Sequence, residues 1–378
     1  MNDIPEEALR TLEESFGTRF VRHTARKAEP GTDELFASVF PQSIEEVQSL
    51  TRLAARYRLP LIARGAHTAL YPGEAPPALA VRFDAMRGIR LPESGEDWVE
   101  VEPGVTWMNL EDRLRVRGRG PTVYPTSAPR STIGGWLSEN GLGVGSYEYG
   151  WLLANVLSVE TVAAGGEREL IEGEALRYFV GSRGSMGFLV GARLATRPAG
   201  DDVPVGAVFR GAEDLANAVL DLYRRGAPLW HLGFLNANMA RARGFEYGHV
   251  LFGAYPGERA PRVEPALQMV VEASGGQILP REEAQRVWEQ RFFPATPLGP
   301  TPTPGRAFVQ GARLAPTLVE VERKLAGVAI QGTVSRWGEV SVLAFDLAKG
   351  SAGLVDLSAV TDIELLQIVS HSWMRPER

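Results

Sequence analysis

Residues 131–150, STIGGWLSENGLGVGSYEYG, are the stretch that decides the fold of this chain. The stretch is rich in glycine, contains Asn140, Tyr147 and Tyr149, and has almost no side chain suited to catalysis. Glycine loses more conformational entropy on ordering than any other residue, so a folded protein concentrates it where the backbone itself is needed. The pattern therefore predicts a backbone surface that is bent around a ligand.

The composition narrows the classes of protein to consider. The chain has 378 residues, more than one hydrophobic core usually supports, so two domains are expected. Its hydrophobic content of 44% and charged content of 23% are ordinary for a globular protein. The formal net charge of −6 argues against a nucleic-acid partner, which would require a concentrated basic face. The sequence contains no cysteine, which excludes disulfides, thiolate nucleophiles and iron–sulfur ligation by this chain.

The sequence predicts neither a membrane span nor a secretory leader. It contains no run of about 18 apolar residues, the length that a spanning helix needs. The first residues, MNDIPEEALRTLEESFG, are acidic and helical in pattern, without the cationic start and apolar stretch of a signal peptide. A cytoplasmic location is the expectation that follows.

The order of predicted elements indicates an α+β fold. Ser43 and Glu46 form a capping box, and the apolar residues that follow recur at helical spacing. A short apolar strand then ends at Gly65, and a linker lies at 198–204. Beyond the linker, strands and helices alternate, which predicts a smaller α+β domain with an antiparallel sheet. We therefore expect a first domain at residues 1–200 and a second at residues 201–378, whose last residues could return to the first. The sequence shows no internal repeat.

Three glycine-centred segments lie in the first 200 residues, at 64–73, 131–150 and 181–190. Exposed backbone N–H groups in such turns form concave anion sites, because no side chain keeps phosphate oxygens away. None of the three has the Rossmann spacing or the lysine of a P-loop. Each segment alone could be an ordinary turn, but three in succession between strands favour a phosphate-containing ligand.

These segments resemble a known family. Arg64-Gly65 after a strand, Thr132-Ile133-Gly134-Gly135, and Gly181-Ser182-x-Gly184-x-x-Gly187 are similar to the FAD-binding domain of the vanillyl-alcohol oxidase and p-cresol methylhydroxylase-type flavoproteins. The resemblance covers roughly residues 30–198. It implies two small α/β subdomains that hold FAD in an extended conformation, followed by a cap domain that sets the substrate.

The resemblance also assigns cofactor contacts, residue by residue. The first segment would wrap the pyrophosphate, and the second and third would flank the pyrophosphate, the ribityl chain and the flavin ring. The residues that carry over are Arg64, Gly65, Ala66, His67 and Thr68, then Thr132, Gly134, Gly135, Asn140, Gly143 and Gly150, and finally Gly181, Ser182, Gly187 and Leu189.

The first segment departs from the family pattern at two positions. Ala66 and His67 stand where the family usually has glycines. Some relatives bind FAD covalently through a loop histidine, but the matching position here is occupied by Thr68, one residue after His67. We expect non-covalent FAD, with a histidyl–flavin bond at His67 as the alternative.

The second domain carries a further match. Its segment EEAQRVWEQRF is similar to the W-x-x-R helix of the D-2-hydroxyacid dehydrogenase and glycolate oxidase branch, in which the arginine is thought to bind the substrate carboxylate. Trp288 and Arg291 carry this match. A planar guanidinium suits the task because it donates two parallel hydrogen bonds to a carboxylate. The alternative is a surface arginine behind a core tryptophan.

That branch also has histidines and acidic residues near its C-terminus that bind a divalent metal or act as a base. Here His231, His249 and His371 are isolated, without pairs at metal-ligand spacing, so no metal is predicted. His231 and His371 remain as candidates for the catalytic base.

The resemblance implies an oxidoreductase in which a hydride passes from a substrate carbon to flavin N5. A small 2-hydroxy acid, such as glycolate or lactate, is the expected substrate, with Arg291 binding its carboxylate. Two alternatives stay open. The run GVGSYEYG resembles phenol-oxidising members and favours an alcohol oxidase of the vanillyl-alcohol type. The short cap and the missing histidine set favour a non-catalytic FAD-binding subunit that works beside partner subunits of a glycolate oxidase-like complex.

Overall fold

The computed structural model describes residues 5–22, 35–66, 78–93, 95–246, 248–293 and 305–348, together with residues 355, 357 and 367–368. The helices in chain order are α1 (Glu6–Phe16), α2 (Ile44–Tyr57), α3 (Trp107–Arg115), α4 (Ile133–Glu139), α5 (Ser146–Tyr149), α6 (Leu176–Phe179), α7 (Ala212–Arg224), α8 (Ala237–Ala242), α9 (Ala260–Ala273), α10 (Arg281–Glu289) and α11 (Leu314–Lys324). The strands are β1 (Phe20–Arg22), β2 (Leu35–Val39), β3 (Leu61–Arg64), β4 (Ala78–Arg82), β5 (Ile89–Arg90), β6 (Trp98–Val101), β7 (Arg119–Pro121), β8 (Val156–Val162), β9 (Arg168–Glu172), β10 (Phe188–Pro198), β11 (Asp202–Phe209), β12 (His231–Leu235), β13 (His249–Pro256), β14 (Gln277–Ile278), β15 (Gly305–Gln310), β16 (Ala329–Val334), β17 (Glu339–Phe345) and β18 (Gln367–Ile368).

The chain divides into two compact units. The first comprises Met1–Pro121, Ala128–Gly141 and Asn155–Arg197, and the second comprises Thr122–Ser127, Leu142–Ala154 and Pro198–Arg378. The last change from the first unit to the second falls between Arg197 and Pro198. Two short stretches of the expected first domain nevertheless lie in the second unit, where an antiparallel bridge between Tyr124 and Val144 joins them.

The first unit contains two sheets, as expected for two small subdomains. Its first sheet has the order β1-β2-β4-β3, in which β4 lies parallel to both β2 and β3. Helix α2 begins where the capping box predicts, because the Ser43 side chain accepts a hydrogen bond from the Glu46 N–H at 3.3 Å. Its Val47 and Leu50 are fully buried in the core of this subdomain.

The second sheet of the first unit has the order β5-β6-β10-β8-β9, with β7 paired to β10. The long central strand β10 lies antiparallel to both β6 and β8. Helix α3 begins after Thr106, whose side chain caps it by accepting a hydrogen bond from the Asn109 N–H at 3.3 Å. Strand β3, helix α4 and the start of β10 all belong to the first unit. Each of the three glycine segments therefore has residues in this unit.

The second unit contains the predicted antiparallel sheet, with the strand order β14-β11-β13-β12-β16-β17-β15-β18. This order has an internal symmetry that the sequence does not reveal. In each half the first strand lies between the third and the fourth, and the second strands, β12 and β16, pair with each other at the centre. The apolar faces of α7, α9 and α11 are buried in the core of this unit.

Residues 131–150 contain two helices, α4 and α5, where the sequence suggests only a glycine-rich loop. Helix α4 forms despite its two glycines because Thr132 caps it and because Trp136 and Leu137 are buried. The chain passes from the first unit to the second between Gly141 and Leu142, inside this stretch. Among the described residues, none of the helices has the length and apolarity that crossing a membrane requires.

Candidate functional site

The first glycine segment meets the second at the end of β3. A Cβ atom added to Gly65 would lie 3.0 Å from Thr132 Oγ1 and 3.6 Å from Gly135 Cα. The Thr132 hydroxyl is held by its cap, in which it accepts a hydrogen bond from the Gly135 N–H at 3.3 Å. A side chain at position 65 would crowd the Thr132 hydroxyl, so glycine favours this close approach of the backbone after β3 to α4.

The second segment meets the third at the end of α4. The Gly181 N–H donates to the Leu137 carbonyl at 2.8 Å, and the Arg183 N–H donates to the Ser138 carbonyl at 3.0 Å. Asn140 adopts φ of 51° and Gly181 adopts φ of 87°, so both lie in the left-handed region. A Cβ on Gly181 would lie 3.2 Å from the Asn140 Cβ. We call residues 64–66, 131–141 and 181–187 of the first unit the glycine cradle.

Several backbone N–H groups of the glycine cradle already donate hydrogen bonds to carbonyls of the protein. The sequence, in contrast, predicts exposed N–H groups. The Gly134 N–H donates to the Pro103 carbonyl at 3.0 Å, and the Ser182 N–H donates to the Phe179 carbonyl at 3.2 Å. The space beside Gly135 is open, however, since an added Cβ would meet only Thr132 Oγ1 within 4 Å. The glycine cradle thus fits an extended cofactor because its glycines have no side chains. The hydroxyl of Thr132 lies at its edge.

The other predicted contacts of the second and third segments have different surroundings. Gly143 and Gly150 lie in the second unit, where added Cβ atoms would come within 2.1 Å of the Tyr124 carbonyl oxygen and 2.4 Å of the Trp337 ring. Packing within that unit therefore accounts for both glycines. Gly187, with φ of 117°, turns the chain into β10, where Leu189 is buried. Of the first segment, Arg64, Gly65 and Ala66 are described, whereas His67 and Thr68 lie outside the described residues.

Arg291 is a buried residue of the second unit, not the surface arginine of the alternative interpretation. It is 8% exposed and follows α10 directly. Its guanidinium carbon lies 4.5 Å from the Trp288 ring centre, 4.3 Å from that of Phe292 and 5.7 Å from that of Tyr124. Aromatic faces attract a cation through their quadrupole, so the three rings favour the charged guanidinium at this place.

Two hydrogen bonds orient the Arg291 guanidinium. Nε donates to the Tyr124 hydroxyl at 2.9 Å, and Nη1 donates to the Trp288 carbonyl at 3.0 Å. Tyr124 in turn packs beside Trp230, whose indole N–H donates to the Thr122 carbonyl at 3.1 Å. We call Tyr124, Trp230, His231, Trp288, Arg291 and Phe292 the arginine–aromatic cluster. Sequence reasoning found Trp288 and Arg291 but missed Tyr124 and Phe292, since neither belongs to a motif.

His231 lies in the same cluster and is fully buried. Its ring centre is 5.7 Å from that of Trp288 and 5.5 Å from that of Phe252. Burial, and then the positive charge of Arg291, lower the pKa of His231 from 6.5 to about 3. The ring is therefore neutral near pH 7, and a base with this pKa accepts a proton poorly from an alcohol.

The hydrogen bonds of His231 assign its tautomer. Nδ1 accepts the Gly145 N–H at 3.4 Å, so the proton of the neutral ring is on Nε2. Among the residues that the structure describes, no group accepts a hydrogen bond from Nε2, although this atom is buried. A buried donor without an acceptor is costly and rare, which marks it as a functional candidate. In this tautomer His231 offers a hydrogen-bond donor at Nε2, and its assignment as the catalytic base stays a prediction.

Of the other two histidines that the sequence singles out in the second domain, the structure describes only His249, which lies outside this cluster. His249 Nε2 lies 2.8 Å from Glu322 Oε1, in a pair between β13 and α11. His371 lies outside the described residues. In the part of the chain that the structure describes, no group of three histidine or acidic side chains is placed to hold a metal ion.

Comparison with known proteins agrees with the resemblance seen in the glycine segments. A family model described as an FAD binding domain matches residues 37–170. A probable mitochondrial D-lactate dehydrogenase of Danio rerio is 30% identical over 220 residues, which cover 54% of this chain and 44% of that protein. The glycolate oxidase subunit GlcD of Bacillus subtilis is 27% identical over 175 residues, which cover 43% of this chain and 37% of that protein. The matched stretch spans less than half of each of these relatives.

Solved structures show the same fold over most of the chain. Substrate-bound p-cresol methylhydroxylase superposes with a TM-score of 0.75 at 15% identity, covering 92% of this chain and 84% of that one. An alkyldihydroxyacetonephosphate synthase superposes with a TM-score of 0.70 at 15% identity, covering 90% of this chain and 80% of that one. The chain therefore has the fold of p-cresol methylhydroxylase, and its residues 37–170 match the model of an FAD binding domain.

Proposed function

We propose that this chain is an FAD-dependent oxidoreductase that oxidises a small 2-hydroxy acid such as glycolate or lactate. The observation that carries the proposal is the buried guanidinium of Arg291, held between three aromatic rings. The names of the relatives supply the substrate class, since they include D-lactate dehydrogenases, glycolate oxidase subunits and a D-2-hydroxyglutarate dehydrogenase. All of these substrates join a carboxylate to a hydroxyl-bearing carbon.

Gly65, Thr132, Gly135 and Gly181 of the glycine cradle would hold FAD without a covalent bond. When bound, FAD supplies the oxidant that accepts the hydride from the substrate carbon. The residues of the glycine cradle contribute close backbone approach, and the Thr132 hydroxyl adds one polar group. The redox chemistry belongs to the cofactor, which explains why residues 131–150 need no catalytic side chain.

Arg291 would bind the substrate carboxylate and so orient the hydroxyl-bearing carbon. A guanidinium forms charge-assisted hydrogen bonds with a carboxylate, and these are stronger than neutral ones. The hydrogen bonds to Tyr124 and Trp288 fix the guanidinium before substrate arrives, which lowers the ordering cost of binding. His231 would add a neutral N–H donor at Nε2 toward a substrate oxygen. Because the pKa of His231 is low, another group would accept the proton of the substrate hydroxyl.

Anaerobic titration of the FAD-loaded chain with a panel of hydroxy acids tests this proposal. We expect one or more small 2-hydroxy acids to bleach the flavin absorbance. Arg291→Met should lower kcat/KM by about 30-fold or more, since truncating a buried charged partner costs ~2–5 kcal/mol. The exposed Arg286, in helix α10 that precedes Arg291, offers the control Arg286→Met, which should leave the rate unchanged. Equal loss in both variants, or no loss in Arg291→Met, would contradict the proposed role.

A second candidate function is an FAD-binding subunit without its own activity. The observation that favours it is the unsuitability of His231 as a base, because its pKa lies near 3. The matched stretch also covers less than half of the GlcD relative, whose name describes a subunit. This candidate predicts that no hydroxy acid bleaches the flavin of the purified chain and that a second flavoprotein subunit co-purifies with it. Bleaching of the isolated chain would exclude it.

A further inference from the structure

The segment that carries Arg291 is held by a second buried arginine. Arg243 follows α8, is 8% exposed, and has a guanidinium pKa lowered to about 9 by burial. Its Nη1 donates to the Gln290 carbonyl, and its Nη2 donates to the Phe292 carbonyl at 2.7 Å. One guanidinium thus bridges the carbonyls on either side of Arg291.

Gln331 completes the arrangement from the centre of the sheet. It lies on β16, is 1% exposed, and its Nε2 donates to the Arg291 carbonyl at 2.7 Å. Its Oε1 accepts a hydrogen bond from Arg243 Nη2, also at 2.7 Å. The carbonyls of Gln290, Arg291 and Phe292 therefore each accept one side-chain hydrogen bond, and the two side chains that donate them are bonded to each other.

The position of these carbonyls explains why the contacts matter. Helix α10 ends at Glu289, and carbonyls at and beyond a helix C-terminus lack partners within the helix. Without Arg243 and Gln331, three consecutive carbonyls would lose their side-chain hydrogen-bond donors. The backbone of Arg291 would then be free to move, and with it the guanidinium.

Burial of the charged Arg243 side chain is energetically unfavourable if its role is structural alone. Its guanidinium is buried, and no carboxylate among the described residues lies within ion-pairing distance of it. Burying a charge without an opposite charge is unfavourable, and well-packed apolar residues often stabilise a protein equally well. In compensation, the Arg243 guanidinium donates hydrogen bonds to two backbone carbonyls and to the Gln331 amide oxygen. All three acceptors lie around Arg291.

We propose that Arg243 and Gln331 are positioning residues, which hold residues 290–292 so that Arg291 presents its guanidinium to the substrate carboxylate. This inference rests on the proposed function and extends it to residues that do not touch the substrate. A lysine at position 243 would keep the charge but could not bridge two carbonyls and Gln331 in the same plane. The inference therefore concerns the geometry of the guanidinium as much as its charge.

Hydrogen exchange and ligand binding, measured on the FAD-loaded full chain, test the inference together. The amides of Arg291 and Phe293 donate to the Trp288 and Thr126 carbonyls, so their exchange reports on this segment. In Arg243→Met we expect both amides to exchange at least about tenfold faster, because charge-assisted hydrogen bonds are the stronger class. The Kd for oxalate, followed through the flavin spectrum, should weaken by at least about tenfold, and KM for the hydroxy acid should rise more than kcat falls. Arg243→Lys should behave like Arg243→Met.

Two further variants make the experiment decisive. Arg241 is exposed and lies two residues away, and the side-chain hydrogen bond that the described structure gives it is to Asn238, so Arg241→Met should match the wild type in every measurement. If Arg243→Met does not fold, Gln331→Met decides, because it removes only the bond to the Arg291 carbonyl and one bond to Arg243. Unchanged exchange at residues 291 and 293, or faster exchange with an unchanged oxalate Kd, would overturn the inference. A wild type that binds no oxalate contradicts the proposed function, while the exchange rates still show whether the two side chains hold the segment.

Discussion

The glycine cradle of the first unit and the arginine–aromatic cluster of the second are built in opposite ways. The cradle consists of backbone from three segments, and its key positions, such as Gly65 and Gly135, are defined by the side chains they lack. The cluster consists of large side chains, and it fixes one guanidinium by ring faces and directed hydrogen bonds. A surface made of backbone suits a cofactor that brings its own chemistry, whereas a set of side chains suits the discrimination of a small substrate.

The largest effect is expected from a side chain added inside the glycine cradle. Gly135→Val places a side chain where only Thr132 Oγ1 now lies within 4 Å. We expect the Kd for FAD to weaken by about 10- to 100-fold, corresponding to the ~1–3 kcal/mol typical of overpacked sites. Fluorescence titration with FAD measures this, and Gly95→Val is the control, because a Cβ at Gly95 would meet nothing within 4 Å. Wild-type affinity in folded Gly135→Val would show that the cradle does not hold the cofactor.

The cluster can be tested through the titration of His231. Burial keeps this histidine neutral in the folded state, with a pKa of about 3, whereas the unfolded chain takes up the proton near pH 6.5. The unfolded state therefore binds more protons below pH 6.5, and stability falls as the pH is lowered from about 7 toward 3. Between pH 7 and pH 5 this amounts to about 2 kcal/mol for one group shifted this far.

Urea unfolding at the two pH values measures the effect. His231→Asn removes the titrating group and keeps an acceptor near the Gly145 N–H, so the difference between pH 7 and pH 5 should shrink by about 2 kcal/mol. His249→Asn serves as the comparison for a general loss of stability, since His249 pairs with Glu322 elsewhere in the same unit. An identical pH dependence in wild type and His231→Asn would mean that folding does not lower the pKa of His231.

The smallest effect is expected at Tyr147, which lies in the run GVGSYEYG that favours the alcohol-oxidase alternative. Tyr147 is 8% exposed, packs in the core of the second unit, and donates its hydroxyl to the Leu222 carbonyl at 3.2 Å. Burial raises the pKa of this phenol well above its usual value. Tyr147→Phe should cost about 1 kcal/mol of stability and leave substrate oxidation unchanged. A large loss of turnover at normal stability would instead favour the vanillyl-alcohol type of chemistry.

The sequence predicts the cradle better than the cluster, for a physical reason. A glycine required for close approach of two backbone segments is visible in the local sequence. The three segments could therefore be predicted from residues such as Gly65, Gly134 and Gly181, and their resemblance to a known family implied the cofactor. The capping box at Ser43 and Glu46 is equally local, and its helix begins where expected. What could not be read is the helix within residues 131–150, because burial of Trp136 and Leu137 outweighs the low helix propensity of two glycines.

The cluster depends on residues that only the folded chain brings together. Tyr124, Arg243 and Gln331 come from three distant segments, and none belongs to a motif. A single polar Gln331 inside the apolar strand AIQGTV was the one available indication, since a buried amide needs hydrogen-bond partners. The symmetry of the eight-stranded sheet was also invisible, because strand order is a property of hydrogen bonding between segments whose sequences differ.

In the proposed function, the bound FAD oxidises a substrate whose carboxylate is recognised by Arg291. Its most direct test compares lactate with propane-1,2-diol, which has the same carbon skeleton without the carboxylate, as reductants of the bound flavin under anaerobic conditions. We expect the wild type to prefer lactate by at least about a hundredfold in kcat/KM, and Arg291→Met to lose most of that preference while still binding FAD. A wild type that does not distinguish the two compounds, or an Arg291→Met variant that keeps the full preference, would contradict the account.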